Sequence, residues 1–430
     1  MKLTPERAHQ LHAEHKSIRG AAVAAGVSKS HFHRVLNQYT ANDPGHTIQS
    51  AGDDSLEITG SRVRTLDELI TSCGINPDEW QVSKWVANKW ESYAGTGDDG
   101  EPRTVDLYQI KAWLDRLPDW YRVEIGPIEA VKREQRPARQ SPVETILTIP
   151  DTQIGFRRQP DGTLKPMHDR KAISAAIQLA ELVQPDVIVA LGDMLDFAAF
   201  GRFTVGPDLR FTSMPSLVEL HAMYADLREA CPAAQIVALE GNHEARLQKT
   251  LTDLASGEYL DLRPVDQLDG PPSMSVDSLL ALDKLDVEFV RGYGSPWFHS
   301  GIMFHHGHIV RARGGKTVSA VLGNASCSQV FGHIHRLEYA ERRILDGATG
   351  KPKRIFAFSP GALTDHEEVP HAGGSPVLDW QQGVGLIYTD GENAHCHPIP
   401  IHEGRLYHDG FLIEGSAGVP ARLQGLGIPF

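Results

Sequence analysis

An α/β domain preceded by small all-α modules is the architecture this sequence predicts, and three observations carry it. From Thr145 onward, short apolar runs rich in β-branched residues alternate with segments of helical period. Three of those runs end in polar clusters, PDTQ, GDMLD and GNHE, and ligand sites of α/β domains gather at the carboxyl ends of strands. Before that point the apolar spacing is that of short helices.

Taken in order, residues 4–39 read as three helices. Phe32, Val35, Leu36 and Tyr39 fall at i, i+3, i+4 and i+7, one face of the third helix. Ser28 or Ser30 can cap its start, and Gly26 suits a tight turn before it. Helix, Gly-containing turn, helix is the helix-turn-helix pattern, so residues 1–40 are expected to form such a module. Its outward face would show Lys29, His31, His33 and Arg34 to phosphates and base edges. A bundle of this kind also serves packing or homo-oligomerisation. Residues 41–61, polar with Gly, Pro and Asp, read as a linker. Residues 62–130 read as a small helical module, with Leu66, Leu69 and Ile70 on one face, Trp80, Trp85, Val86 and Trp90 as bulk, and another helix near 105–117. Residues 131–143 read as a basic connector. The catalytic domain is expected over 144–405, with helices at 169–183 and 215–230. Its strands are expected at 187–191, 235–240, 286–290, 301–305, 328–331, 354–358 and 385–389. Residues 406–430 would be a tail.

Composition narrows the class. The chain has 430 residues, 41% hydrophobic and 23% charged, which is ordinary globular usage. No run approaches the roughly 20 apolar residues of a membrane helix, and the N-terminus lacks the apolar stretch of a secretory signal, so a cytoplasmic protein is expected. Four scattered cysteines without a CxxC pair argue against a disulfide framework. The net charge is −13, yet residues 1–40 carry six Lys/Arg against Glu6 and Glu14. A basic head on an acidic body points to a separate role for the head.

Five segments supply metal-type ligands in succession: Asp151-Thr-Gln153, Gly192-Asp193-Met-Leu-Asp196, Gly241-Asn242-His243-Glu244, His305-His306-Gly307-His308 and Gly332-His333-Ile-His335. Carboxylate, imidazole and amide oxygen suit manganese, iron or zinc. An aspartate shared by two ions is the arrangement used in two-metal phosphoester cleavage.

Over residues 145–400 this series resembles the calcineurin-like metallophosphoesterase family, nearest its repair-nuclease and phage-encoded branches. The resemblance implies a two-sheet sandwich flanked by helices, two divalent ions (Mn2+ foremost, with Mg2+, Fe2+ or Zn2+ as alternatives) and a metal-bridging hydroxide as nucleophile. It implies that Asp193 bridges the metals. Asp151 and His335 would hold the first, and Asn242, His333 and either His306 or His308 the second. His243 would be the general acid, with Asp196 behind the site orienting it. The sequence departs from the family at Gln153, where the family carries histidine. An amide oxygen is a weaker ligand than imidazole, so the first site is expected to bind more loosely and to favour manganese or magnesium over zinc. His168 is a further imidazole that could compensate.

Arg202, and Arg311, Arg313 and Lys316 on a Gly-rich loop, are candidates to meet a polyanionic substrate. The leading expectation is a metal-dependent DNA nuclease with DNA as partner. A phosphoesterase of cyclic nucleotides, nucleotides or phosphoproteins is the second reading. A DNA-binding or assembly protein with a weakened metal site is the third.

Overall fold

The computed structural model describes the chain except residues 1–2, 41–45, 53–54, 62, 97–100, 123–125, 137–140, 202–205, 255–259, 348 and 369–378. It divides into two units, Met1–Tyr121 and Arg122–Phe430. No helix among the described residues is long and apolar enough to cross a membrane. All four cysteines are free.

The first unit opens with α1 (Pro5–His15), α2 (Ile18–Ala24) and α3 (Lys29–Thr40). Each start is capped by a hydroxyl: Thr4 accepts from the Arg7 N–H, Ser17 from Gly20 and Ser28 from His31. Ala8, Leu11, Ala21, Ala22, Phe32 and Val35 bury a common core. Lys29, His31 and His33 are exposed on α3. The side chain of Arg34 lies outside the described residues.

The rest of this unit corrects two expectations. The linker of 41–61 contains an antiparallel pair, β1 (His46–Gly52) and β2 (Ser55–Gly60). The helical module of 62–130 is mostly sheet. After α4 (Leu66–Ser72), capped by Thr65, come β3 (Trp80–Thr96) and β4 (Pro102–Arg116), completing a four-stranded sheet in the order β1-β2-β4-β3. The expected helix near 105–117 is β4. Ile110, Ala112 and Leu114 alternate inward against Ile58 and Leu69. Lys111 and Trp113 face the other way, with the Lys111 ammonium over the Trp113 ring. Aromatic and β-branched residues at period two pack well on a pleated surface, and that decides the segment.

Among the described residues, the second unit holds two large sheets and two small two-stranded ones. In chain order its elements begin β5 (Glu144–Ile149), β6 (Phe156–Arg158), β7 (Leu164–Pro166), α5 (Arg170–Val183), β8 (Val187–Ala190), α6 (Ser213–Ala230), β9 (Gln235–Leu239) and α7 (Ala245–Leu254). They continue α8 (Val276–Leu279), β10 (Val287–Val290), β11 (Trp297–His299), β12 (Ile302–His305), α9 (Lys316–Asn324) and β13 (Ser328–Phe331). Last come β14 (Leu337–Leu345), β15 (Pro352–Pro360), β16 (Gln382–Thr389), β17 (Ala394–Ile401), β18 (Arg405–His408) and β19 (Phe411–Glu414).

The six-stranded sheet runs β10-β9-β8-β5-β16-β17 and the five-stranded sheet β11-β12-β13-β15-β14. Strands β10, β9, β8 and β5 are mutually parallel, as are β12, β13 and β15. Ile146, Val187, Val189, Val237 and Ile387 of the first sheet share one buried cluster with Ile302, Phe304, Val330, Phe356 and Phe358 of the second. Their neighbours Leu147, Ile188 and Ile236 point the opposite way, into a cluster with α5 and α6. On the far side of the second sheet, Val318, Val321 and Leu322 of α9 pack on Phe331, Ile355 and Ala357. Burying one such side chain is worth about 1.5–3 kcal/mol, so these layers hold the strand ends firmly.

Two boundaries also move. The connector of 131–143 is anchored to this unit, with Val131 donating to the Lys284 carbonyl and Arg136 paired with Asp186. The expected tail of 406–430 supplies β18 and β19, and Phe430 packs beside Phe156. His395 and His397 sit exposed on β17.

Candidate metal centre

Every ligand-type segment follows a strand that ends on the same side. Asp151 and Gln153 follow β5, Asp193 follows β8, Asn242 and His243 follow β9, His306 follows β12, and His333 and His335 follow β13. Asp151, Gln153, Asp193, His333 and His335 all take positive φ, between 27° and 70°. Non-glycine residues held there cost roughly 1–3 kcal/mol each, and such strain collects at functional sites. The chain also needs room. A Cβ on Gly241 would lie 2.1 Å from the Asp193 nitrogen, and one on Gly332 would lie 2.4 Å from an Asp151 carboxylate oxygen. Both glycines are therefore fixed by close approach rather than by turn preference.

Asp193 sits at the middle. One carboxylate oxygen accepts from the His243 backbone N–H at 2.8 Å, and the other lies 3.1 Å from His306 Nε2. His306 Nε2 is also 3.1 Å from Asn242 Oδ1, while its Nδ1 faces the Leu191 carbonyl at 2.9 Å. Asp193, His306 and His333 bring ligand atoms within 4.8 Å of one another. Burial alone would raise the Asp193 carboxyl, but His243 and His306 hold it well below the carboxylate range. Burial likewise opposes charge on His306, and Asp193 overrides it, raising the imidazole to about 9. Of the two HHGH alternatives, His306 is buried in this cluster and His308 is exposed.

The second group is looser. His335 Nε2 lies 3.4 Å from Asp151 Oδ1 and 3.3 Å from Gln153 Nε2. The Asp151 carboxylate accepts from the His333 N–H at 3.0 Å. Gln153 Oε1 and His335 Nδ1 are buried without hydrogen-bond partners. Buried acceptors left over in this way fit a cation as their missing partner. Carboxylate, amide and imidazole donors around both groups suit a divalent transition ion.

His243 stands between this cluster and Asp196. Its Nδ1 donates to the Asp196 carbonyl at 2.8 Å, and its Nε2 lies 3.8 Å from Asp193 Oδ2. The Asp196 carboxylate is 3.6 Å from His243 Nδ1, so Asp196 holds the ring mainly through its backbone oxygen. Glu244 is buried and accepts from the backbone N–H groups of Asp193, Gly241 and Leu195, pinning two strand ends together. Burial and the nearby Asp193 push its carboxyl up to about 7. His168 faces Glu219 at 2.7 Å and Gly155, away from the ligand cluster, so it does not stand in for the missing imidazole at 153.

Sequence reasoning missed Arg246. Its Nη2 donates to His243 Nε2 and its Nη1 to the Asp196 carbonyl, each at 2.8 Å. The available signal was spacing, three residues after His243 on the first turn of α7. Of the proposed substrate contacts, Arg202 lies outside the described residues. Arg311, Arg313 and Lys316 are exposed on the loop entering α9. That loop is tied by Arg336 to the Arg311 carbonyl and by Glu338 to the Gly315 and Val318 N–H groups.

No family model matches this chain. The Gene 54 protein of Mycobacterium phage D29 is 25% identical over 280 residues, which is 63% of this chain and 98% of that protein. The Gene 54 protein of Mycobacterium phage L5 matches to the same extent. Solved structures matched by the chain include YfcE, a phosphoesterase from E. coli, with TM-score 0.25, 13% identity, 59% of this chain and 98% of that one covered. TT1561 of Thermus thermophilus is matched with TM-score 0.24 and 12% identity, covering 60% of this chain and 99% of that one.

Proposed function

We propose that the chain is a metal-dependent phosphodiesterase of metallophosphoesterase type that acts on nucleic acid, with DNA hydrolysis as its main reaction. The observation that carries this is the convergence of Asp193, His306 and His333 within 4.8 Å, with Asn242 beside them and His243 next in the chain. In this reading the two packed sheets form the family's sandwich. Asp151, Gln153 and His335 would hold one cation and Asn242, His306 and His333 a second, with Asp193 placed to serve both. Divalent ions such as Mn2+ supply Lewis acidity toward phosphoryl oxygens and lower the pKa of water.

The chain's own residues do the rest. The Asp196 carbonyl fixes the His243 tautomer with the proton on Nδ1, so Nε2 is the atom that can take a proton and pass it to the departing oxygen. The basic α1–α3 head, with Lys29, His31 and His33 exposed, supports nucleic acid over a small nucleotide as substrate. It would act as a helix-turn-helix address delivering DNA to an acidic catalytic body.

The test is manganese-dependent degradation of labelled single- and double-stranded DNA, with Asp193→Asn as control. Loss of the bridging charge should abolish degradation and lower the metal content. Manganese-loaded protein that leaves both DNAs intact refutes the nuclease reading.

A further inference from the structure

Among the described residues, Arg246 is a cation without a counter-ion. It is half-buried, and among the described residues no carboxylate lies in ion-pair range of it. Its two hydrogen bonds go to His243 Nε2 and the Asp196 carbonyl, neither of them an anion. Partly burying a guanidinium is costly unless an anion meets it. The nearby carboxylates are already engaged: Asp193 with His243 and His306, and Asp196 with the Ala198 N–H. The atom that Arg246 touches, His243 Nε2, is itself 3.8 Å from Asp193 Oδ2. The guanidinium is therefore one imidazole away from the cluster where a phosphoryl group would react.

We propose that Arg246 is a phosphate-holding residue of this site, and that it rests on His243 Nε2 until an anion arrives. This rests on the phosphoesterase reading above. A guanidinium has five N–H groups in a planar fork, and the resting bonds use two. A phosphate oxygen pair is the partner that such a fork matches best. The resting contact also has a consequence for His243. While Arg246 donates to Nε2, that nitrogen is occupied as an acceptor. Transfer of the guanidinium to a phosphate oxygen frees that lone pair to take up a proton from water and then pass it to the departing oxygen, so His243 is readied only when substrate is in place.

The experiment uses the full-length, manganese-loaded protein as wild type, Arg246→Gln and Arg246→Lys. Each is titrated calorimetrically with inorganic phosphate and assayed on a small diester, with Asp193→Asn as control. Arg246→Gln should weaken phosphate binding about tenfold to a hundredfold and raise KM in step, with manganese content and Tm as wild type. Arg246→Lys, which keeps the charge but not the fork, should fall between the two. Wild-type phosphate affinity in Arg246→Gln overturns the proposal. If Arg246→Gln loses its manganese or melts early, Arg246→Lys decides: binding weakened severalfold supports the fork, and wild-type affinity overturns it. If wild type hydrolyses no diester while Arg246→Gln still loses phosphate affinity, the phosphoesterase reading falls and the anion grip stands.

Discussion

Gln153 joins a structural bond to an open acceptor in one residue. Its backbone N–H donates to the Asp193 carbonyl, locking two strand ends, while its Oε1 is buried without a partner. Gln153→His would give the looser cation group an imidazole. Elemental analysis after dialysis should show fuller metal loading than wild type; equal loading of both proteins would make the amide an adequate ligand. Glu219 offers a residue-scale test of the support behind the site. Burial pushes its carboxyl up, but His168 and Arg170 more than reverse this and bring it down to about 2. A depressed carboxyl stabilises the fold fully above its unfolded value near 4.3 and loses that contribution as pH falls toward 2. About two units correspond to roughly 3 kcal/mol. Urea unfolding should therefore show Glu219→Gln less stable by about that much at pH 7, with the gap about halved at pH 3 and closing only near pH 2 and below; a pH-independent gap would count against the ion pair. The ligand-type residues were legible because carboxylates, amides and imidazoles follow apolar runs in five ordered blocks. Arg246 was not, because its spacing three residues after His243 does not by itself distinguish an arginine that turns toward the ring from one that is solvated.

The strands of the second unit were legible where burial is two-sided, since runs such as VIVAL leave little alternative to a central parallel strand. Edge and hairpin strands escaped. β14 alternates half-buried and exposed residues and reads as charged sequence, and the tryptophans of β3 are spread along the strand without a helical or two-residue period. What decides such segments is which face finds a partner, and that is a tertiary fact. The same logic sets the cost of core changes. Phe358 of β15 is fully buried between the two sheets, whereas Leu345 at the end of β14 is 73% exposed. Phe358→Ala should cost about 3–5 kcal/mol and Leu345→Ala less than about 0.5, read from denaturant midpoints. Comparable losses would mean that the cluster between the sheets does not carry the stability of this unit.

Across the whole chain, the division after Tyr121 separates a head with its own two cores from a unit that contains every proposed ligand. Residues 122–430 alone should hydrolyse a small diester at the full-length rate yet degrade DNA more weakly, with a shallower dependence on salt. Equal loss on both substrates would make the head a folding element rather than an address. The unit's strand order also bears on how the chain is made. β5, which leads into Asp151, lies between β8 and β16, so its second neighbour is a segment more than 230 residues later. A ribosome delivers β16 only after all the ligand segments through His335 have been made. Until then β5 presents an open edge, the kind that recruits other chains into aggregates. Nascent or prematurely terminated chains are thus the vulnerable species, and expression yield should fall sharply for any truncation that removes 382–389.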